Sequence, residues 1–213
     1  MTERDKHIAF LFTAELQFRL ASAVEIATIM GKQPIDIPQE WSHGKHVISY
    51  TEVALRKDQA KFAAFFIHRS ATFLMAVAMK DAIKATVPDP KNAADTNIQS
   101  AYQISRMIRN AFTHRPFHPI WSIDEDCRNR KFEVSNIISF DTKGLNGKPF
   151  DWRHYGGSLA LLLLCRYVRF EILKDKRRKR EIIPKPKDIY YQQGNLILRK
   201  IKKLKKKGTN HCS

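Results

Sequence analysis

The chain has 213 residues, 43% of them apolar and 28% charged, with 38 Lys and Arg against 21 Asp and Glu for a net charge of +17. Length and apolar share are those of a globular protein with one sizeable core. The cationic balance is uneven: residues 171–213 hold 15 Lys and Arg against 4 Asp and Glu. That balance favours polyanionic partners, either nucleic acid or an anionic membrane surface.

Three widely spaced cysteines, Cys127, Cys165 and Cys212, form no CxxC pair. That argues against a disulfide framework and against a zinc ribbon, and a reducing, cytoplasmic setting is the expectation. The N-terminus, MTERDKHIAF, reads as lacking a secretory signal. The uninterrupted apolar runs 73–79 and 159–165 are too short to span a bilayer, and the wider stretch 62–79 is broken by His68 and Arg69.

In chain order, residues 3–30 read as a first helix, with Ile8, Phe12, Leu16, Leu20, Val24 and Ala27 as its apolar stripe. Gly31 supplies a stop, and Pro34 and Pro38 make an extended loop. A second helix, rich in Ala, Phe and Met, runs from about Thr51 to Thr86, before Pro88. Asp95 or Thr96 caps a third helix that continues to about Thr113. The segment KFEVSNIISFDTKGLNGKPF, with Gly144 and Asn146-Gly147 nearby, reads as a β-hairpin or ordered loop.

Gly156-Gly157 opens a fourth, strongly apolar helix that turns cationic towards residue 180, where positive charge suits the helix dipole. The predicted fold class is mainly α: a bundle of four or more helices with a small β-hairpin insertion at about 122–155. Residues 1–180 form the predicted domain and 181–213 a basic C-terminal tail.

Within the third helix Ile98, Ala101, Tyr102, Ser105, Ile108 and Phe112 are expected to face the core. Gln99, Gln103, Arg106, Asn110 and His114 recur on an adjoining face, which is expected to lie outside it. Arg109 and His114 are five residues apart, about 140° around an ideal helix. They converge only at a distorted helix end or with a second subunit completing the site.

Arg109-Asn110-Ala111-Phe112-Thr113-His114 resembles the R-x4-H motif of the HEPN superfamily, which carries a polar residue directly after the arginine. The resemblance covers six of the 213 residues. It implies an α-helical, often homodimeric bundle and a metal-independent endoribonuclease that uses no cofactor. It implies His114 as acid/base, Arg109 as phosphate stabiliser and Asn110 as the residue that orients the histidine or bonds the phosphate. RNA is the implied partner, and the toxin members of the superfamily add a cognate inhibitor protein.

The residue types suit that chemistry. Histidine moves protons near neutral pH, and a planar, permanently charged guanidinium stabilises phosphoryl oxygens. Arg106 and Arg115 are expected to contact the RNA backbone. Lys202, Lys203, Lys205, Lys206 and Lys207 of the tail are expected to bind polyanions without regard to sequence. Two other classes stand beside this reading: a non-catalytic HEPN-like dimerisation or nucleic-acid-binding module, and a membrane-surface or partner-binding protein.

Competing sites have less support. His114 and His118 form H-x3-H, but Pro116 between them breaks the helical geometry that zinc would need. His43 and His46 lie in a loop without a cysteine pair, so no metal site is expected. Cys165 reads as inert core. No phosphate-binding glycine loop or nucleophile elbow occurs.

Overall fold

A capping box starts the first helix, α1 (Glu3–Ile29): the Thr2 hydroxyl accepts from the Asp5 N–H at 3.1 Å, and the Asp5 carboxylate accepts from the Thr2 N–H at 3.0 Å. The structure is a computed structural model that describes residues 1–32, 40–49 and 54–176. The tail lysines 202, 203, 205, 206 and 207 lie outside the described residues.

The buried face of α1 is Ile8, Leu11, Ala14, Phe18 and Ala21, not the expected stripe. Leu16 is 44% exposed and Leu20 60%. Repeated four-residue steps advance about 40° each, so from Ile8 to Val24 such a line drifts about 160° round the helix. The mixed three- and four-residue steps of the observed face hold one direction.

A short antiparallel hairpin, β1 (Glu40–His43) and β2 (His46–Ser49), stands where the sequence suggests loop. Gly44 opens its two-residue turn at φ 61°, a left-handed conformation that glycine adopts without strain. The second helix, α2, spans Lys57–Thr86 and therefore begins at Lys57 rather than Thr51. By length and composition α2 could cross a membrane. It also lies against α1 and the third helix, burying His68, Met75, Ala76, Met79, Ala82 and Ile83.

The third helix, α3 (Thr96–Thr113), is capped by Asp95, whose carboxylate accepts from the Asn97 N–H at 2.8 Å. It runs through the interior. Every residue from Ser100 to Ile108 is buried, because α2 covers one side and the hairpin β3 (Lys131–Val134) and β4 (Ile138–Asp141) covers another. That hairpin alternates, burying Phe132, Val134, Ile138 and Phe140. Its turn falls at 135–137, with Asn136 at φ 61°, rather than at the later glycines.

Gly156 (φ 98°) leads into α4 (Gly157–Tyr167), which continues as one π-helical turn, Val168–Ile172, and stops there instead of at residue 180. Part of its cationic face is internal. Glu15 of α1, fully buried, accepts from Arg166 at 2.9 Å and pairs with the fully buried Arg169, which also meets Asp175 at 2.9 Å. These pairs fasten α1 to the last helix. The protein is thus mainly helical with small antiparallel hairpins, and Met1–Asp175 makes one compact unit.

Candidate functional site

The end of α3 builds the site. The helix stops at Thr113 with His114 as its C-cap, because the ring of Pro116 disfavours helical backbone at Arg115. The chain then turns back: the Ile120 N–H donates to the Ala111 carbonyl at 3.2 Å. Trp121 pairs with the 147–148 segment, its N–H donating to the Lys148 carbonyl and its carbonyl accepting from the Gly147 N–H, both at 2.8 Å. Trp121 itself is buried against Phe140 and Phe150, and its indole N–H donates to His154 Nδ1 at 2.8 Å.

Between the helix end and this returning strand lies an open cleft of about 360 Å³. Asn110, His114 and Arg115 line one side; Ser122, Asn146 and Gly147 line the other, with Ile120 and Trp121 between. His114 and Arg115 are exposed. Asn146 is fixed there because its side-chain carbonyl accepts from the Ile123 N–H at 2.9 Å.

A hydrogen-bonded row runs from the helix surface inward. Arg109 Nη1 donates to Asn110 Oδ1 at 3.0 Å, and Asn110 Nδ2 donates to Asp124 at 3.2 Å. Asp124 also pairs with Arg106 at 3.0 Å, and Arg106 pairs with Asp126 at 2.6 Å. Arg106 continues to the Cys127 sulfur at 3.3 Å, which lies 3.4 Å from the Gln103 carbonyl oxygen.

Burial alone would raise the Asp126 carboxyl pKa, but the hydrogen bond and charge of Arg106 outweigh it and hold it below the ordinary value. Burial raises the Cys127 thiol pKa, so this sulfur stays protonated and unreactive.

The structure therefore brings Asn110, His114 and Arg115 to one cleft and leaves Arg109 beside it, outside the lining. The expectation of an exposed polar row fails for its inner half: Gln103 and Arg106 are buried, 3% and 8% exposed. The 124–127 turn lies over them, and Arg106 spends its charge on Asp124 and Asp126 rather than facing solvent. The carboxylates Asp124 and Asp126 are the members that sequence reasoning missed. Their signal was the run Asp124-Glu125-Asp126, an acidic cluster in a basic chain.

A second missed constellation lies between α1 and α2. His68 places Nε2 3.0 Å from the Ser22 hydroxyl and Nδ1 on the Glu25 carboxylate, with its ring stacked on Trp152 at 5.0 Å between centroids. The order is that of a serine relay, yet the Ser22 hydroxyl donates to the Phe18 carbonyl at 2.8 Å. Ser22 sits inside α1, where the backbone N–H groups are spent on the helix and none remains to hold an oxyanion. The cluster fastens two helices.

Among the described residues no group of three or more His, Cys, Asp or Glu could hold a metal ion. Compared with family models, curated proteins and solved structures, the chain matches none.

Proposed function

We propose that this protein binds RNA and cleaves it as a metal-independent endoribonuclease of the HEPN type. The observation that carries the reading is the cleft at the end of α3, where His114, Arg115 and Asn110 stand together at an open surface. Cleavage by internal attack needs a base to take the proton of the ribose 2′-hydroxyl as its oxygen bonds to phosphorus. An acid then protonates the 5′-oxygen that leaves, giving a cyclic phosphate and a free 5′-hydroxyl. His114 supplies the proton-transfer group. Arg109 and Arg115 supply charge for the phosphoryl oxygens, and Asn110 holds Arg109.

Arg109 stands outside the cleft that His114 lines. A two-fold homodimer in which each cleft receives the partner's Arg109 completes the constellation, and dimerisation belongs to the proposal. The same placement favours a second reading, a non-catalytic RNA-binding or dimerisation module of this type. RNA degradation in EDTA by wild type and by His114→Ala decides between them. Loss of cleavage only in the variant supports the nuclease; an inert wild type that still binds RNA leaves the module.

A further inference from the structure

The loop that follows α3 and the start of α2 share an aromatic surface that the cleavage chemistry does not use. Phe62 and Phe66 stand one helical turn apart on α2 with ring centroids 4.6 Å apart, and Phe117 of the loop after α3 adds a third ring 5.7 Å from Phe66. Phe62 is 68% exposed and Phe117 66%. The loop is tethered to α2 where Arg69 Nη1 donates to the Phe117 carbonyl at 3.3 Å, so the ring stands at the surface in a held position.

The surroundings are cationic. Arg115 and His118, near Phe117 in the chain, are exposed, and the exposed Lys61 directly precedes Phe62 on α2. Nearby carboxylates are occupied: Asp58 pairs with Arg56 at 3.5 Å, Asp151 with Arg153, and Glu25 with His68. Arg69 is itself stacked on Phe65, with its guanidinium carbon 4.2 Å from the ring centroid.

We propose that Phe62, Phe66 and Phe117 form a stacking platform for unpaired bases, which makes the partner single-stranded RNA. Phenyl faces interleaved with cations take splayed bases and their phosphates together, whereas a duplex keeps its base faces buried in its own stack. Phe117 lies three residues beyond His114, on the loop that leaves the cleft, and in this proposal one strand places a phosphate in the cleft and a neighbouring base on the platform. This rests on RNA as the partner and not on cleavage.

The test measures binding of the full chain to a fluorescent 2′-O-methyl oligouridylate, which cannot be cleaved by internal attack, and to an RNA duplex of equal length. Phe117→Ala and Phe62→Ala should each weaken single-strand binding about tenfold, with Phe117→Trp close to wild type. The salt dependence should be unchanged in these variants, while Arg115→Ala should lower its slope by about one. Circular dichroism melts at the wild-type temperature confirm folding, as expected for rings this exposed.

Equal affinity of wild type and both alanine variants overturns the platform, as does duplex binding as tight as single-strand binding. It is equally overturned if the alanine variants keep RNA affinity but lose binding to phosphatidylserine vesicles, or if they only turn a dimer into a monomer. A wild type that binds no RNA ends both this inference and the proposed function; one that binds in this pattern without cleaving ends only the nuclease reading.

Discussion

Asn110 and Asp124 are joined by a 3.2 Å hydrogen bond from the Asn110 amide to the carboxylate, which ties a residue lining the cleft to the acidic turn. Its carbonyl oxygen accepts from Arg109 at 3.0 Å, so each end of the amide makes one bond to protein. Asn110 thus links Asp124 to the Arg109 guanidinium through its two bonds. Asp124 in turn is fixed by the buried Arg106 at 3.0 Å.

If Asn110 and Asp124 work as one unit, their substitutions should not add. Asp124→Ala and Asn110→Ala are each expected to slow RNA cleavage about tenfold with little change in KM, and the double variant should be no worse than either alone. The check is a double-mutant cycle on single-turnover cleavage rates. Additive losses would show that the two residues act separately and that the row through Asn110 is incidental.

His114 and Arg109 should separate proton transfer from charge stabilisation. His114→Ala is expected to lower cleavage by at least about 100-fold while changing RNA affinity little. Arg109→Ala should lower cleavage comparably and affinity modestly, because its charge meets phosphate both before and during reaction. Arg109→Lys should not restore the rate, since an ammonium cannot reproduce a planar fork. Both alanine variants should melt near the wild type, His114 being exposed and Arg109 at the rim of the core. A His114→Ala protein that cleaves like wild type ends the nuclease assignment.

Arg106→Ala behaves as a core substitution here, not as the loss of an RNA contact. It strands Asp124 and Asp126 and opens a space beside Cys127. Removing one partner of a fully buried pair costs about 3–5 kcal/mol; with both carboxylates nearly half exposed, about 2 kcal/mol is expected. Urea denaturation measures it. A variant with wild-type stability and a reduced salt slope for RNA would return Arg106 to the surface role that its helical spacing suggests.

What the sequence made legible was local. Asp95 as cap, the apolar period of α3 and the stop at Thr113–Pro116 all act within one turn of the chain, so the helix and the gathering of Asn110, His114 and Arg115 at its end could be read directly. The β-branched and aromatic residues of 131–150 marked a hairpin or ordered loop for the same reason, although its turn lies at 135–137 and not at the later glycines. The burial of Gln103 and Arg106 depends on the 124–127 turn folding back over α3, a contact about twenty residues away that no helical period records. Glu15 was equally opaque: its partners Arg166 and Arg169 are more than 150 residues on, and in isolation it reads as one more surface charge.

Acid should act through the carboxyls that folding depresses, Asp151 and Asp126 together with the capping Asp5, which the Thr2 hydrogen bonds lower. Hydrogen bonding from the Arg153 side chain brings the Asp151 pKa down to about 2 from an ordinary 3.8, against the opposing effect of burial. Asp126 is lowered too, with the Arg106 bond and charge overcoming burial. A carboxyl depressed on folding contributes stability that is fully present above its unfolded pKa and is lost as pH falls through its folded value. For Asp151 that window runs from 3.8 down to about 2. The melting temperature should therefore hold level above this range and drop within it. Asp151→Asn keeps an oxygen to accept from the Arg153 N–H, as Asp151 does at 2.8 Å, and removes only the charge. Asp126→Asn likewise leaves an acceptor for Arg106. Each variant should flatten the acid limb of the melting curve while remaining below the wild type at neutral pH. An acid limb as steep as wild type in both would show that these carboxyls bind protons equally in the folded and unfolded chain.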